Sequence, residues 1–449
     1  MAQLSRRNFL RGALALGGGL ALSGGVARTL TGRSNLALAA GAEIADRHFI
    51  FCYFSGGWDL LISLDPRDPA IFRDDLKKVT RIQPGYSKLP FGFRDLVTTS
   101  VPGMTFGPFI GDLRDHADKM TVVRGMSMDT LTHEVGRRRF LTGKPPVGLQ
   151  AKGSSLATIM AGKTGNDVPI PNLSVGVESY NASEPSFASA IRVTSVTDLV
   201  RALQPGIDTL SNAERAAVDD LMSELRACNE SAVQNRGYDA AGAAQNLVGR
   251  GLASAFDFDP ATIARYGIDP RDMTSGGAQA AMAVTALVSG ISRVVSIEAA
   301  RDLDAHGPTW ASGHGPRLKV GFDVVAAMVD DLESRQYKNT GDTWLDHTTL
   351  VVFSEFGRTA LINSSGGRDH ALTNACVLIG CGIRGGRVVG QSSDVGLAPV
   401  ATNLQTGNPA PGAGTIIKPE NVHRALLASV GITDDIVDLR AEPLSAILA

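Results

Sequence analysis

Two carboxylates, two guanidinium groups and an imidazole fall within the eighteen residues Ser354–Ala371, SEFGRTALINSSGGRDHA. Glu355 and Arg358 follow directly on an apolar run, TTLVVFS, and Asp369 and His370 close a Gly-rich loop. The juxtaposition recurs. FIFCYF (49–54) runs into SGGWD, ending on Asp59, and RVVSIEA (293–299) is followed by ARDLDAHG, with Asp304 and His306. Carboxylate oxygen and imidazole nitrogen are the donors that divalent metals take. Carboxylates gathered unpaired at a buried edge cost too much without a cation. Taken singly, an Asp after a strand usually caps a helix. Repeated at three strand ends, with Gly56 and Gly57 allowing a sharp turn and close backbone approach, the residues point to one shared site for one or two ions of Zn, Mn, Mg or Ca. A fourth segment, HEVGRRRFLTGKP (133–145), follows the run MTVVRG. A helix starting at His133 offers free N–H groups and the positive dipole end to an anion. Arg137, one turn on, is the arginine placed to face that anion, and Arg138 reads as part of a solvated face.

These residues need a scaffold that brings remote strand ends together. FIFCYF, MTVVRG (120–125), NLSVGV (172–177), RVVSIEA, TTLVVFS (348–354) and ACVLIG (375–380) are apolar without polar alternation, as strands covered on both faces are. Between them lie the helical stretches 154–162, 278–291 and 318–335, the last with Phe322, Val325, Ala326, Val329 and Leu332 at helical spacing. Strands alternating with helices predict a doubly wound, mostly parallel α/β sheet, whose ligands bind beyond the carboxyl ends of the strands. Residues 200–270 read as a helical insertion, 394–415 as a long surface loop, and KPENVHRALLASVGI as a last helix with Pro419 near its start and Gly431 past its end.

The opening residues, with Ser5-Arg6-Arg7-Asn8-Phe9-Leu10-Arg11, a Gly/Ala-rich apolar stretch and the small-residue site Ala37-Leu38-Ala39, read as a twin-arginine signal over 1–39. That reading expects the twin-arginine translocase as a partner during export and a periplasmic or extracellular destination. Removing these residues, with five arginines and no acid, takes the formal charge from −2 to −7. No basic run stands above this, so no nucleic-acid partner is expected. No other segment is long and apolar enough to span a bilayer, so no stable membrane span is expected in the mature form. Cys52, Cys228, Cys376 and Cys381 contain no C-x-x-C pair. Three of them sit in apolar runs and read as buried thiols.

The motifs SGGWD, DAHG, TTLVVFSEFGRT, GGRDHA and CGIRGGRVVGQSSD, in this order across 46–440, resemble those of the bacterial domain-of-unknown-function family 1501. The pattern also resembles the alkaline phosphatase/sulfatase superfamily. The resemblance implies a three-layer α/β/α domain over 40–449 and a two-metal hydrolase site for a phosphate or sulfate ester of a small molecule or polymer. It implies Asp59 and Glu355 at one ion and Asp304, His306 and His370 at the other, with His314 able to replace either histidine. Arg358 and Asp369 are additional candidates. Where the superfamily has Asp-His, this chain has Glu355-Phe356; where it has D-x-x-x-H, this chain has Asp304-Ala305-His306. Sulfatases carry C-x-P-S-R-x-x-x-L-T-G, matched here at Arg137 and Leu141-Thr142-Gly143. The cofactor-independent phosphoglycerate mutases carry S-E-V-G-H, matched at Glu134-Val135-Gly136. In both comparisons His133 stands at the nucleophile's place. Two functions follow from the likeness. One is an exported metal-dependent ester hydrolase with His133 as base or nucleophile and Arg137 holding the anion. The other is a non-catalytic binding or assembly protein with a structural or vestigial metal site.

Overall fold

All six apolar runs form strands, and two short edge strands join them. In the computed structural model, which describes residues 46–164, 167–204, 213–214, 217, 220–221, 224 and 251–449, these are β1 (His48–Phe54), β2 (Met120–Ser127), β3 (Asn172–Val175), β4 (Ile191–Val193), β5 (Val294–Ala300), β6 (Thr348–Ser354), β7 (Thr373–Gly380) and β8 (Arg387–Val389). They make one sheet in the order β8-β2-β7-β6-β1-β5-β3-β4. β1 pairs in parallel with β5 and β6, β3 with β4 and β5, and β8 with β2, while β7 runs antiparallel between β2 and β6. The fold is α/β with a mostly parallel sheet.

The continuous apolar character of the strands has the expected cause. Along β1, Ile50, Cys52 and Phe54 enter one core while Phe49, Phe51 and Tyr53 enter the other. Alternation separates two buried faces, so no polar period appears. Helices α5 (Gly276–Val288) and α6 (Gly315–Ser334) close the first face; α1 (His133–Thr142), α2 (Leu156–Thr164) and α7 (Pro419–Ala428) close the second. The smaller helices α3 (Val196–Leu203) and α4 (Pro260–Tyr266) flank the first core.

Three departures from the sequence reading have physical reasons. β3 stops at Val175 because Gly176 turns at φ +69°. The stretch 394–415 is irregular as expected but does not lie wholly on the surface, because Thr402 and Leu397 are buried. β4 and β8 are only three residues long and carry too short an apolar run to announce themselves. The signal at 1–39, Cys228 and most of the helical insertion lie outside the described residues. Cys52, Cys376 and Cys381 are free thiols, the first two buried. No helix among the described residues is long and apolar enough to cross a membrane.

Candidate metal centre

The carboxyl ends of β1, β2, β5 and β6 point to one edge of the sheet. Because β7 is reversed, its amino end arrives at that edge too, and His370, three residues before it, comes with it. Four loops and one helix start therefore meet there, and they build two different clusters.

The first cluster gathers three imidazoles about one carboxylate. His133, Asp304 and His370 each offer a ligand atom within 4.8 Å of the others. His306 Nε2 lies 3.0 Å from His370 Nε2 and 2.9 Å from Asp304 Oδ1. His370 Nε2 is 3.4 Å from Asp304 Oδ1, and His133 Nε2 is 3.5 Å from Asp304 Oδ2. Zn–N bonds of ~2.0–2.1 Å at a tetrahedral ion imply ligand separations of about 3.3 Å. Those four spacings bracket that length, but His306 lies outside the group of His133, Asp304 and His370 whose ligand atoms all fall within 4.8 Å of one another.

Each ring has its other nitrogen held from behind. His133 Nδ1 meets Glu355 Oε1 at 2.8 Å, His306 Nδ1 meets Asp369 Oδ1 at 2.8 Å, and His370 Nδ1 meets the Leu131 carbonyl at 2.6 Å. With the proton at Nδ1, held by that acceptor, each Nε2 lone pair would face an ion in the cluster. Three Nε2 atoms thus turn toward one carboxylate, and Arg358 reaches the same place: its Nη2 donates to Asp304 Oδ1 at 2.6 Å and its Nη1 lies 3.3 Å from His306 Nε2. Two imidazole acceptors 3.0 Å apart repel unless a proton or a cation sits between them. Burial lowers the His370 pKa.

Glu355 is fully buried at the end of β6. Besides His133, the Gly56 N–H (2.8 Å) and the Ser354 hydroxyl (2.9 Å) donate to it. Burial would raise its pKa; the hydrogen bond from His133, with those other donors, holds it below the ordinary carboxylate value. The same bond raises His133 against its own partial burial. Asp304 is held down at about 2: burial pushes up, but the Arg358 hydrogen bond and charge, with His133 and His370, outweigh it.

The second cluster is closed. Asp59, 1% exposed, faces Arg368 Nε at 2.8 Å as a close ion pair and accepts from Trp310 Nε1 at 2.6 Å and the Leu61 N–H at 3.0 Å. The Arg368 guanidinium stacks over the Trp310 ring at 4.8 Å and donates to the carbonyls of Thr359, Gln83 and Pro84. His314 Nε2 accepts from the Asp59 N–H at 3.1 Å, and burial drops its pKa to about 4, keeping it neutral. Trp310 and His314 both sit on the π-turn Trp310–His314 that leads into α6.

The structure therefore brings together His133, Asp304, His306 and His370, and it separates several residues from them. Asp59 and His314 belong to the closed cluster, because a buried guanidinium and an indole N–H satisfy the carboxylate there. Glu355 and Asp369 stand behind histidines rather than beside them as ligands. Arg137 turns away to Glu178 at 2.9 Å, a carboxylate it shares with Arg138 and Tyr180. Arg358, wholly buried, donates to the carbonyls of Gly56, Gly57, Leu303 and Arg368 and so binds the edge loops together. Asn363, which the sequence reading passed over, donates to Asp369 Oδ1 and to the His306 carbonyl, both at 3.0 Å. Its only sequence signal is a turn composition, INSSGG.

A family model described as "Protein of unknown function (DUF1501)" matches residues 46–409. No curated protein matches the chain. Among solved structures, the crystal structure of Ps i-CgsB in complex with k-i-k-neocarrahexaose is similar at TM-score 0.39 and 11% identity, covering 89% of this chain and 75% of that one. A second structure, "Crystal structure of Ps i-CgsB", gives 0.38 and 11% over 88% and 74%. At those scores the likeness bears on neither fold nor chemistry.

Proposed function

The chain belongs to the DUF1501 family, and from that premise we propose that it is an exported, metal-dependent, hydrolase-like protein built around a single transition-metal ion. One observation carries the reading: three imidazoles, each with its own acceptor at Nδ1, turn Nε2 toward one carboxylate. The ligand atoms of His133, His370 and Asp304, all within 4.8 Å of one another and with His306 beside them, give a nitrogen-rich set that suits Zn or Mn better than Mg or Ca, which take oxygen-rich sets. A one-ion site is favoured over two, since Asp59 and His314 already have internal partners.

When bound, such an ion supplies Lewis acidity toward a phosphoryl or sulfuryl ester oxygen. The protein's own groups do the rest. Glu355, Asp369 and Leu131 O hold the three rings in the ligating tautomer, and Arg358 keeps Asp304 ionised and in place. Asp304 is 48% exposed, which leaves the centre open to an incoming ester. An alkaline phosphatase-like arrangement of the domain and export through the Arg6-Arg7 signal belong to the same proposal.

The test is metal analysis of protein matured through its own export route, followed by assays with aryl phosphates and aryl sulfates with Zn or Mn added. One ion per chain and turnover lost in His370→Ala is the expected result. Metal-free protein that binds neither ion on addition would sink the reading. A specific observation favours a second reading, non-catalytic metal binding on the same site. The arginine expected to hold the anion, Arg137, is engaged by Glu178, and Arg358 is buried. One tightly bound ion without turnover of either ester class would select it.

A further inference from the structure

The motif RVVGQSSD contributes nothing to the metal cluster. Its strand, β8, ends at Val389 beside Val123 of β2, and the residues that follow line a cavity of about 340 Å³, within the size range of small-molecule sites. Gly390 has φ +74°, and a Cβ there would lie 2.5 Å from the Arg124 carbonyl, so only glycine lets the chain pass.

The cavity contains two arginines in unequal states. Arg67 is saturated: it donates to Asp65, Asp394, the Ser392 hydroxyl and the carbonyls of Ser392 and Ser393. Arg124, from the middle of β2, is not. Its Nη2 donates to the Thr105 carbonyl at 2.7 Å, but its buried Nε has no hydrogen-bond partner, Asp65 being 3.8 Å away. A buried donor left unmade costs free energy that a ligand acceptor restores. Around it the unused groups are balanced. Asp394 offers its second carboxylate oxygen, and the exposed amides of Gln391 and Asn408 can both donate and accept.

We propose that this cavity is a binding site for an uncharged polyhydroxylated ligand, a sugar unit. The two arginines and two aspartates lining it cancel in formal charge. A carboxylate ligand would face Asp65 and Asp394 and leave the site net negative. Hydroxyl groups donate and accept at once, which matches a guanidinium, a carboxylate and two amides around one cavity. Its lining shares no residue with the proposed metal centre.

Titration calorimetry and saturation-transfer NMR on the full chain, with glucose, galactose and acetate as probes, decide it. A hexose binding at about millimolar strength is expected, weakened about tenfold in Arg124→Gln and in the double substitution Gln391→Ala/Asn408→Ala, with metal content unchanged. Should Arg124→Gln not fold, the double substitution at exposed positions decides alone. Absence of hexose binding up to solubility, acetate binding tighter than either hexose, or hexose affinity unchanged in the double variant overturns the proposal.

Discussion

Asp59 and Asp304 leave the adjacent strands β1 and β5 at the same edge of the sheet, yet they end in opposite circumstances. Asp59 is buried against Arg368 and Trp310, with every partner supplied by the protein. Asp304 is half exposed, pairs with the Arg358 guanidinium at 2.6 Å and faces the Nε2 atoms of three histidines. The same residue types therefore make a closed structural ion pair in one place and, in the other, the open cluster proposed as a ligand set. A buried guanidinium stands beside each carboxylate, so the ion pair does not separate them. The remaining company does: an indole N–H and a backbone N–H complete the closed shell of Asp59, whereas half-exposed Asp304 is surrounded by histidines that have acceptors behind them.

The comparison breaks most sharply under substitution. Asp59→Asn leaves Arg368 buried without its counter-charge and is expected to cost about 3–5 kcal/mol of stability, read by denaturant unfolding, while metal stoichiometry in the folded fraction stays at wild type. His306→Ala should do the reverse. It is expected to cost under about 1 kcal/mol of stability, as half-exposed polar substitutions do, and to lower metal affinity by more than the 10–100-fold that outer-shell changes cost. If Asp59→Asn removed the metal while leaving stability intact, the division between the clusters would be wrong.

Glu355→Gln and Asp369→Asn test the acceptors behind the rings, each with an expected loss of about 10–100-fold in zinc affinity, measured against a competing chelator. No change in either would mean that the tautomers are set some other way.

The two clusters should also part on acidification. His314 is neutral in the fold, with its pKa near 4 through burial, and the unfolded chain protonates near 6.5. Below pH 6.5 the unfolded state binds the extra proton, so stability falls as pH drops from 6.5 toward 4, by about 1.4 kcal/mol per unit from this group. His48 and His423, both at about 3, act in the same direction. His314→Gln should flatten the slope in that window relative to wild type. In the open cluster, metal uptake requires His133 to lose a proton that Glu355 helps it keep. Zinc binding should therefore weaken on acidification from a midpoint above the ordinary histidine value, and Glu355→Gln should lower that midpoint.

The smallest effect is expected at a third group. His116, Asp330 and Glu333 also bring ligand atoms within 4.8 Å. There His116 Nδ1 is buried without an acceptor, and Lys119 holds Glu333 at 2.6 Å. His116→Ala should leave metal content unchanged; a loss of one ion would show that a fixed tautomer is not what distinguishes a metal site in this fold.

Much of the scaffold was legible because both faces of the sheet are buried. β1, β5, β6 and β7 are long apolar runs whose covered faces leave no polar period to mislead. The residues past their ends were legible as chemistry, and four of the five expected at the metal, Asp304, His306, Glu355 and His370, lie at or directly behind the open cluster. Asp59 was not separable from Asp304 by inspection, because its partner Arg368 is 309 positions away and shows in sequence only as an arginine in a glycine-rich loop. Arg137 carried the right spacing for an anion but was captured by Glu178 from a different loop.

Composition and periodicity alone determined that this chain forms a covered α/β sheet and that acids and imidazoles leave its strands at one end. Local physics suffices for that, since strand-forming runs and turn residues act within a few positions. Which of those groups face one another was decided only in three dimensions. The reversal of β7 delivers His370, and the buried Arg358 and Arg368 each claim one aspartate. Ligand geometry depends on lone pairs meeting within about 3 Å, a distance that no pattern along the chain encodes.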